Sequence, residues 1–285
     1  RYVAAALAAR GHPVTVLDNL LSSNSSFAAE QLAHPLITHR QGSVFDRKLI
    51  ADLVSSHKSI MHLATVVGVE ETISQTVATM DNLAGTLNLV RCLTPDHAIL
   101  FTSSADVYGA HSMLYSRPMR ETDFFVFEHG LVNRWVYPHV KALEENLVSN
   151  SAARSVVIRV FNTYGAAMDY PDPKRVIPHF VTNLLDATPL LLSGDGSQTR
   201  GFCYVDDMVR GMIAAFDFVR SKTAPCAECF NLGNDDTVTI RSLAERMVAL
   251  GREIVFNARE VPVDPVCYTE GQRLKDPWNR VPDIA

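Results

Sequence analysis

Tyr137 and Lys141 stand four residues apart in Arg134-Trp-Val-Tyr-Pro-His-Val-Lys141. On a helix they fall one turn apart on the same face. A phenol ordinarily loses its proton near pH ~10, and an ammonium one turn away favours the phenolate and lowers that value. The pair is therefore suited to act as a general base near neutral pH. Tyr-x-x-x-Lys alone arises by chance in many helices, so its neighbours carry the weight. Upstream, Ile99 to Phe101 reads as a buried strand that breaks into Thr102, Ser103 and Ser104 where the strand should end. In open parallel sheets the ligand crevice lies beyond the carboxyl ends of the strands. Hydroxyls there can hold the group whose proton the phenolate removes.

The elements around these residues alternate as an α/β fold requires. Arg1 to Gly11 is alanine-rich and ends on glycine, predicting a helix with a glycine stop. Pro13 to Leu17 reads as a strand ending at Asp18, where a carboxylate suits the ribose hydroxyls of a dinucleotide. Pro35 to His39 and Ser59 to Ala64 read as further strands. Val77, Met80, Leu83, Leu87 and Val90 recur at helical spacing, and Val136 to Val148 predicts a helix with Val140, Leu143 and Leu147 toward the core. Ser155 to Phe161 is another strand. After Gly165, Val176 to Leu185 predicts a helix and Pro189 to Leu192 a strand. Ile240 to Val248 predicts a helix capped by Thr239 and stopped by Gly251. A phosphate-cradling glycine loop would belong ahead of the first helix, and none precedes Arg1. The expectation is that this sequence is a piece whose preceding segment carries that loop; a chain naturally lacking the loop is the alternative.

Composition narrows the partners. The chain has 285 residues, a net charge of −5 and no apolar run long enough to span a membrane. With no basic stripe, nucleic acid is not expected. Five cysteines, Cys92, Cys203, Cys226, Cys229 and Cys267, do not form a disulfide framework, which points to a reducing cytoplasm. Cys226-Ala-Glu-Cys229 has metal-ligand spacing, but no second pair accompanies it, so no metal is expected.

Taken together, these motifs resemble the extended branch of the short-chain dehydrogenase/reductase superfamily, which modifies nucleotide sugars. His62-Leu-Ala64, Asn82-Leu-Ala-Gly-Thr86, Arg159-Val-Phe-Asn-Thr-Tyr-Gly165, Gly194 to Asp207 and Phe230-Asn-Leu-Gly233 match its segments in order. The resemblance implies a Rossmann-like doubly wound parallel sheet over residues 1–165, binding NAD. A smaller α/β domain over residues 166–285, interleaved with the first, would mainly bind substrate. It implies cofactor contacts from Asp18, Asn19, Ser43, Val44, Leu63, Ala64, Asn82, Thr102, Tyr137 and Lys141. Relatives often carry Asp at the place of Ser43. Tyr137 would deprotonate the sugar C4 hydroxyl, Lys141 would hold the nicotinamide ribose and lower the phenol's pKa, and Ser104 would bond the reacting oxygen. Asn162, Arg175, Arg200 and Arg280 would bind the substrate, and Gly201 replaces an acid that commonly follows the arginine at position 200. His139 reads as an exposed or capping histidine.

Asp106 bears on which reaction follows. Dehydratases of this branch place two adjacent acids here, and the first position is Ala105 in this chain. UDP-glucuronate decarboxylases resemble the pattern more closely: a hydroxyl residue, a small residue, then an acid. Arg-Trp-x-Tyr-x-x-x-Lys is also similar to the decarboxylase of the aminoarabinose pathway. Decarboxylation of UDP-glucuronate is the favoured expectation. A UDP-hexose 4-epimerase is the enzymatic alternative, a 4,6-dehydratase a weaker one, and a non-catalytic binding protein on this fold the alternative of another class. A homodimer paired through the helices that contain Asn82 to Leu93 and Val136 to Val148 is implied.

Overall fold

The computed structural model describes residues 1–20, 32–65, 74–127, 133–166, 168, 175–254 and 263–266. Helix α1 (Tyr2–Ala9) gives way to Gly11, whose φ of +84° turns the chain back into β1 (Val14–Asp18). β2 (Ile37–Gln41) pairs in parallel with β1, with Asp18 opposite Gln41. α2 (Arg47–Ser56) starts at Asp46, whose carboxylate accepts from the Lys48 and Leu49 amides at 3.0 Å. There follow β3 (Ser59–His62), α3 (Thr76–Val90), β4 (Ala98–Ser104), α4 (Val136–Ser149), β5 (Arg154–Val160) and β6 (Thr163–Tyr164). The chain continues through α5 (Val176–Leu185), β7 (Leu190–Ser193), β8 (Thr199–Gly201), β9 (Cys203–Tyr204) and α6 (Val205–Arg220). It then forms β10 (Ala227–Leu232), β11 (Thr237–Thr239), α7 (Ile240–Ile254) and β12 (Val263–Val266).

The main sheet is parallel, in the order β10-β5-β4-β3. Its strands read as unbroken apolar runs because both faces are covered. On one face Ile99, Phe101 and Val157 meet Ile50, Val54, Leu89 and Val148 from α2, α3 and α4. On the other, Leu100, Val156 and Ile158 meet Met208, Met212 and Phe216 from α6. A further core joins α5, β7 and α7 through Phe180, Leu190, Leu192 and Ala244. The later part of the chain therefore begins this core with α5 and β7, returns to the first sheet through α6 and β10, and completes the core with α7.

Three expectations change. Thr102 to Ser104 do not lie past β4 but complete it, because the ladder to β5 runs on to Ser104 opposite Val160. Gly251 does not stop α7, which continues to Ile254; the packed face of that helix outweighs the ~1 kcal/mol cost of an internal glycine. The third change concerns which faces are buried. α4 turns Leu143 outward, 52% exposed, and buries Lys141, Glu144 and Glu145 with Val140 and Val148. α3 exposes Val77 and Met80 and buries Thr79, Asn82, Thr86 and Asn88. Both helices present polar atoms to the interior because buried partners await them there.

The strongest of those partnerships fixes α4 to the sheet. Arg159 of β5 bonds Glu145 with two parallel hydrogen bonds, Nε to Oε1 at 3.0 Å and Nη2 to Oε2 at 2.9 Å. Its Nη1 also donates to the Tyr108 hydroxyl and the Glu121 carbonyl, each at 2.9 Å. Tyr108 in turn donates to Asn231 of β10 at 2.7 Å. Removing one member of such a buried pair strands the other charge. Glu145→Gln should lower unfolding stability by about 3 kcal/mol in urea titrations; an unmoved midpoint would show that the helix is held by other contacts.

Candidate active site

Tyr137 is the second residue of α4 and Pro138 the third, where proline's missing N–H costs nothing. The Ser104 side chain acts on the Tyr137 hydroxyl and draws its pKa down, so phenol and serine meet at the carboxyl end of β4. Ser104 Oγ also accepts the Asp106 amide at 3.1 Å, which locks the start of the 3₁₀ turn carrying Asp106. Ser104, Asp106 and Tyr137 are each partly buried. His139 is exposed, and its Nδ1 meets the Trp135 carbonyl at 2.5 Å.

The lysine is in place but does not act on the phenol as the spacing suggests. Lys141 is buried, and its Nζ lies 3.1 Å from Glu144 Oε2 and donates to the Thr102 carbonyl at 3.1 Å. It stands 4.6 Å from the centre of the Phe101 ring and 6.0 Å from that of Tyr137. Burial of the phenol pushes its pKa up to about 12; the Ser104 side chain and the Arg175 charge pull it down, while the Glu144 carboxylate pushes it up. The net shift is upward, against the lowering that the spacing predicts, because burial outweighs the groups that pull the pKa down. Burial also lowers the pKa of Lys141, and Glu144 works against that shift.

Of the residues expected around the cofactor, Asp18, Leu63, Ala64 and Thr102 lie at or beside the carboxyl ends of β1, β3 and β4. Asp18 ends β1, and its backbone carbonyl accepts the Gly42 amide at 3.0 Å, which brings Ser43 beside it. The Asp18 carboxylate caps the Leu20 amide at 2.7 Å, and Ser43 Oγ caps Phe45 at 3.2 Å. Asn19 is exposed and Val44 packs into the core. Leu63 and Ala64 follow β3 and are exposed; Asn82 is buried on α3, and Thr102 Oγ1 reaches the His62 carbonyl at 3.3 Å. An acid, hydroxyls and small exposed residues along one edge fit a dinucleotide laid across the strand ends.

On the substrate side, Asn162 Nδ2 donates to the Gly201 carbonyl at 3.2 Å, which brings Asn162 next to Arg200. A side chain at position 201 would place Cβ 2.0 Å from the Asn234 carbonyl oxygen, so the acid found there in relatives has no room. Arg175 immediately precedes α5, and its charge reaches Tyr137. Arg280 lies outside the described residues. Cys226 and Cys229 pack into different core clusters on opposite faces of the sheet, so they do not converge on one ion. A separate cavity of about 390 Å³ is lined by His111, Tyr115, Arg117, Met119 and Thr199. Glu144 is the site residue that sequence reasoning misses; its signal is a second consecutive acid one turn after the lysine.

Residues 1–233 match the NAD dependent epimerase/dehydratase family. Along its whole length the chain is 32% identical to the UDP-N-acetyl-alpha-D-glucosaminuronate decarboxylase of Bacillus cytotoxicus, covering 85% of that protein. It is 28% identical, over 98% of its length, to UDP-glucuronic acid decarboxylase 1 of Arabidopsis thaliana, of which it spans 60%. Among solved structures, Pal from Bacillus thuringiensis superposes with a TM-score of 0.80 at 27% identity, covering 99% of this chain and 85% of Pal.

The phenol's protonation state is open to direct measurement. In the ligand-free protein, the tyrosinate absorbance attributable to residue 137, taken as wild type minus Tyr137→Phe, should rise with a midpoint of about 12. A midpoint near neutrality would mean that the lysine's charge dominates after all.

Proposed function

The chain belongs to the NAD-dependent epimerase/dehydratase family, and on that premise we propose that it decarboxylates a UDP-linked uronic acid by transient oxidation at C4. The observation that carries this reading is the meeting of the Tyr137 phenol and the Ser104 side chain at the end of β4, where Ser104 draws the phenol's pKa down. Two hydroxyls on one point can bind a sugar alcohol and accept its proton. NAD, when bound, supplies the hydride acceptor. Asp18, Asn19, Ser43, Val44, Leu63, Ala64, Asn82 and Thr102 would hold it, with Tyr137 and Lys141 nearest the reacting end.

The chain's own residues do the rest. Ser104 fixes the C4 oxygen, and Tyr137 takes its proton as C4 becomes a ketone. Where the sugar carries a carboxylate at C6, that ketone makes it a β-keto acid. The C5–C6 bond then breaks, CO2 leaves and the electron pair moves into the ketone oxygen as an enolate, which the Tyr137 and Ser104 hydroxyls stabilise. Asp106 would return the proton that C5 must regain; hydride then goes back to C4 and Tyr137 gives its proton to the C4 oxygen, which leaves the UDP-pentose. Asn162, Arg200, Arg175 and Arg280 are assigned to the nucleotide diphosphate, for which arginine's planar fork is suited. Residues 1–165 would serve the cofactor and residues 166–285 mainly the substrate.

A homodimer in the cytoplasm completes the reading. Val77, Met80 and Leu143 are 76, 51 and 52% exposed on the adjoining helices α3 and α4, an apolar surface suited to a second copy. Among the described residues, no helix is long and apolar enough to cross a membrane, and the four described cysteines are free.

Two experiments test this. A chain extended to include any preceding segment should release CO2 from UDP-glucuronate or its N-acetylated analogue and yield the UDP-pentose. Interconverted hexoses without CO2 would decide for a 4-epimerase. Tyr137→Phe should cut turnover by at least about a hundredfold with substrate binding retained. Separately, Leu143→Glu should convert a dimer to a monomer by light scattering; a wild type already monomeric would remove the proposed pairing.

A further inference from the structure

Lys141 and Glu144 have side chains each 1% exposed, with Nζ 3.1 Å from Oε2. Among the described residues, that ammonium also meets the Thr102 carbonyl, the face of Phe101 and, farther off, the ring of Tyr137. A dipole and a ring do not hold a desolvated ammonium charged; a carboxylate does. Glu144 is itself held firmly. Thr86 Oγ1 of α3 donates to Glu144 Oε1 at 2.5 Å. The Thr86 proton being spent there, its oxygen accepts from His62 Nε2 of β3 at 3.0 Å. His62 is buried and neutral, its pKa pushed down to about 3 by burial and by Lys141. A single chain of hydrogen bonds thus runs from β3 through α3 to α4, and Lys141 extends it to β4.

We propose that Glu144 is a positioning residue for the Tyr137–Lys141 pair: it keeps the Lys141 ammonium charged inside the protein and so preserves the positive charge on which the tyrosine base draws. The inference rests on the reading of Tyr137 and Lys141 as the catalytic pair. The surrounding charges leave the task to Glu144. The neighbouring carboxylate, Glu145, is committed to Arg159 at 2.9 Å. β3 offers the neutral His62, α3 offers Asn82 and Thr86, and β4 offers Phe101 and Thr102. Arg175 acts on the phenol from the opposite part of the chain.

Glu144→Gln removes the charge and keeps the shape, so Lys141 should lose its proton far more readily. A lysine whose folded pKa falls below its unfolded value costs stability at lower pH, and the cost disappears as pH rises toward the unfolded value of ~10.4. Without ligands, the Tm gap between wild type and Glu144→Gln should be widest near pH ~7 and close toward pH ~10. In the active protein, the alkaline limb of kcat/KM should move down by at least about one pH unit, with Glu144→Asp restoring most of it. A pH-independent Tm gap with an unmoved limb, or an Asp variant no better than Gln, overturns the proposal, since a packing defect alone predicts that result. A gap that closes while the limb stays still leaves Glu144 holding the charge and refutes instead the catalytic reading of the pair.

Discussion

The bidentate bond between Arg159 and Glu145 is the constraint on which the site depends. Arg159 belongs to the central strand β5, and Glu145 lies two turns after Tyr137 on α4. Fixing those two groups sets both the height of the helix above the sheet and its rotation about its own axis. Rotation matters most, because a helix that turned by one residue would swing Tyr137 away from Ser104. Apolar packing alone tolerates such slippage, whereas two parallel hydrogen bonds to a planar guanidinium do not. The energy of the pair is secondary, since burying charge costs much of what the attraction returns. Its value here is geometric.

That rotation also explains why the outward faces of α3 and α4 are the apolar ones. Once Glu145 must face Arg159, its neighbours Lys141 and Glu144 turn inward as well, and Leu143 is left outside. α3 answers with Thr86 and Asn82 rather than with Val77 and Met80. The interior between these helices is consequently polar, and it extends the reach of the site back to His62. A phenol whose pKa is pushed up to about 12 is a poor base. The Lys141 ammonium is directed at Glu144 and the Thr102 carbonyl, 6.0 Å from the centre of the Tyr137 ring.

The order of strands and helices was legible because burial on both faces writes continuous apolar runs into β4 and β5, and Tyr137, Lys141 and Ser104 were legible because their spacing carries chemistry. The choice of buried face was not. Helical periodicity in α3 and α4 is real, but hydrophobicity locates the face that avoids water, and a second copy can serve as well as the core. Glu144 was hidden for the same reason: an acid on an amphipathic helix reads as solvated until the strand behind it supplies a partner. α6 and β10 were obscured by their order, since they follow the start of the second core yet return to the first sheet. Thr102 to Ser104 looked like the end of the strand because the apolar run stops there, while the ladder to β5 is set by backbone atoms that hydropathy does not record.

The remaining question is what distinguishes one reaction from another on this scaffold. Elimination across C5 and C6 needs an acid to protonate the leaving hydroxyl, and the position adjoining Ser104 is Ala105, 4% exposed. A methyl group there cannot supply a proton. Epimerisation asks for room in which the ketone can rotate; decarboxylation asks for a carboxylate at C6 and little else from the protein. With Asp106 pinned through its amide to Ser104, its carboxylate is a short-reach acid on a fixed turn. In this stretch it is not joined by the adjacent acid that the dehydratases of the branch carry, since position 105 is alanine. On this reading, the outcome is selected largely by the substrate's own carboxylate, once the protein has made the ketone and excluded the competing chemistry.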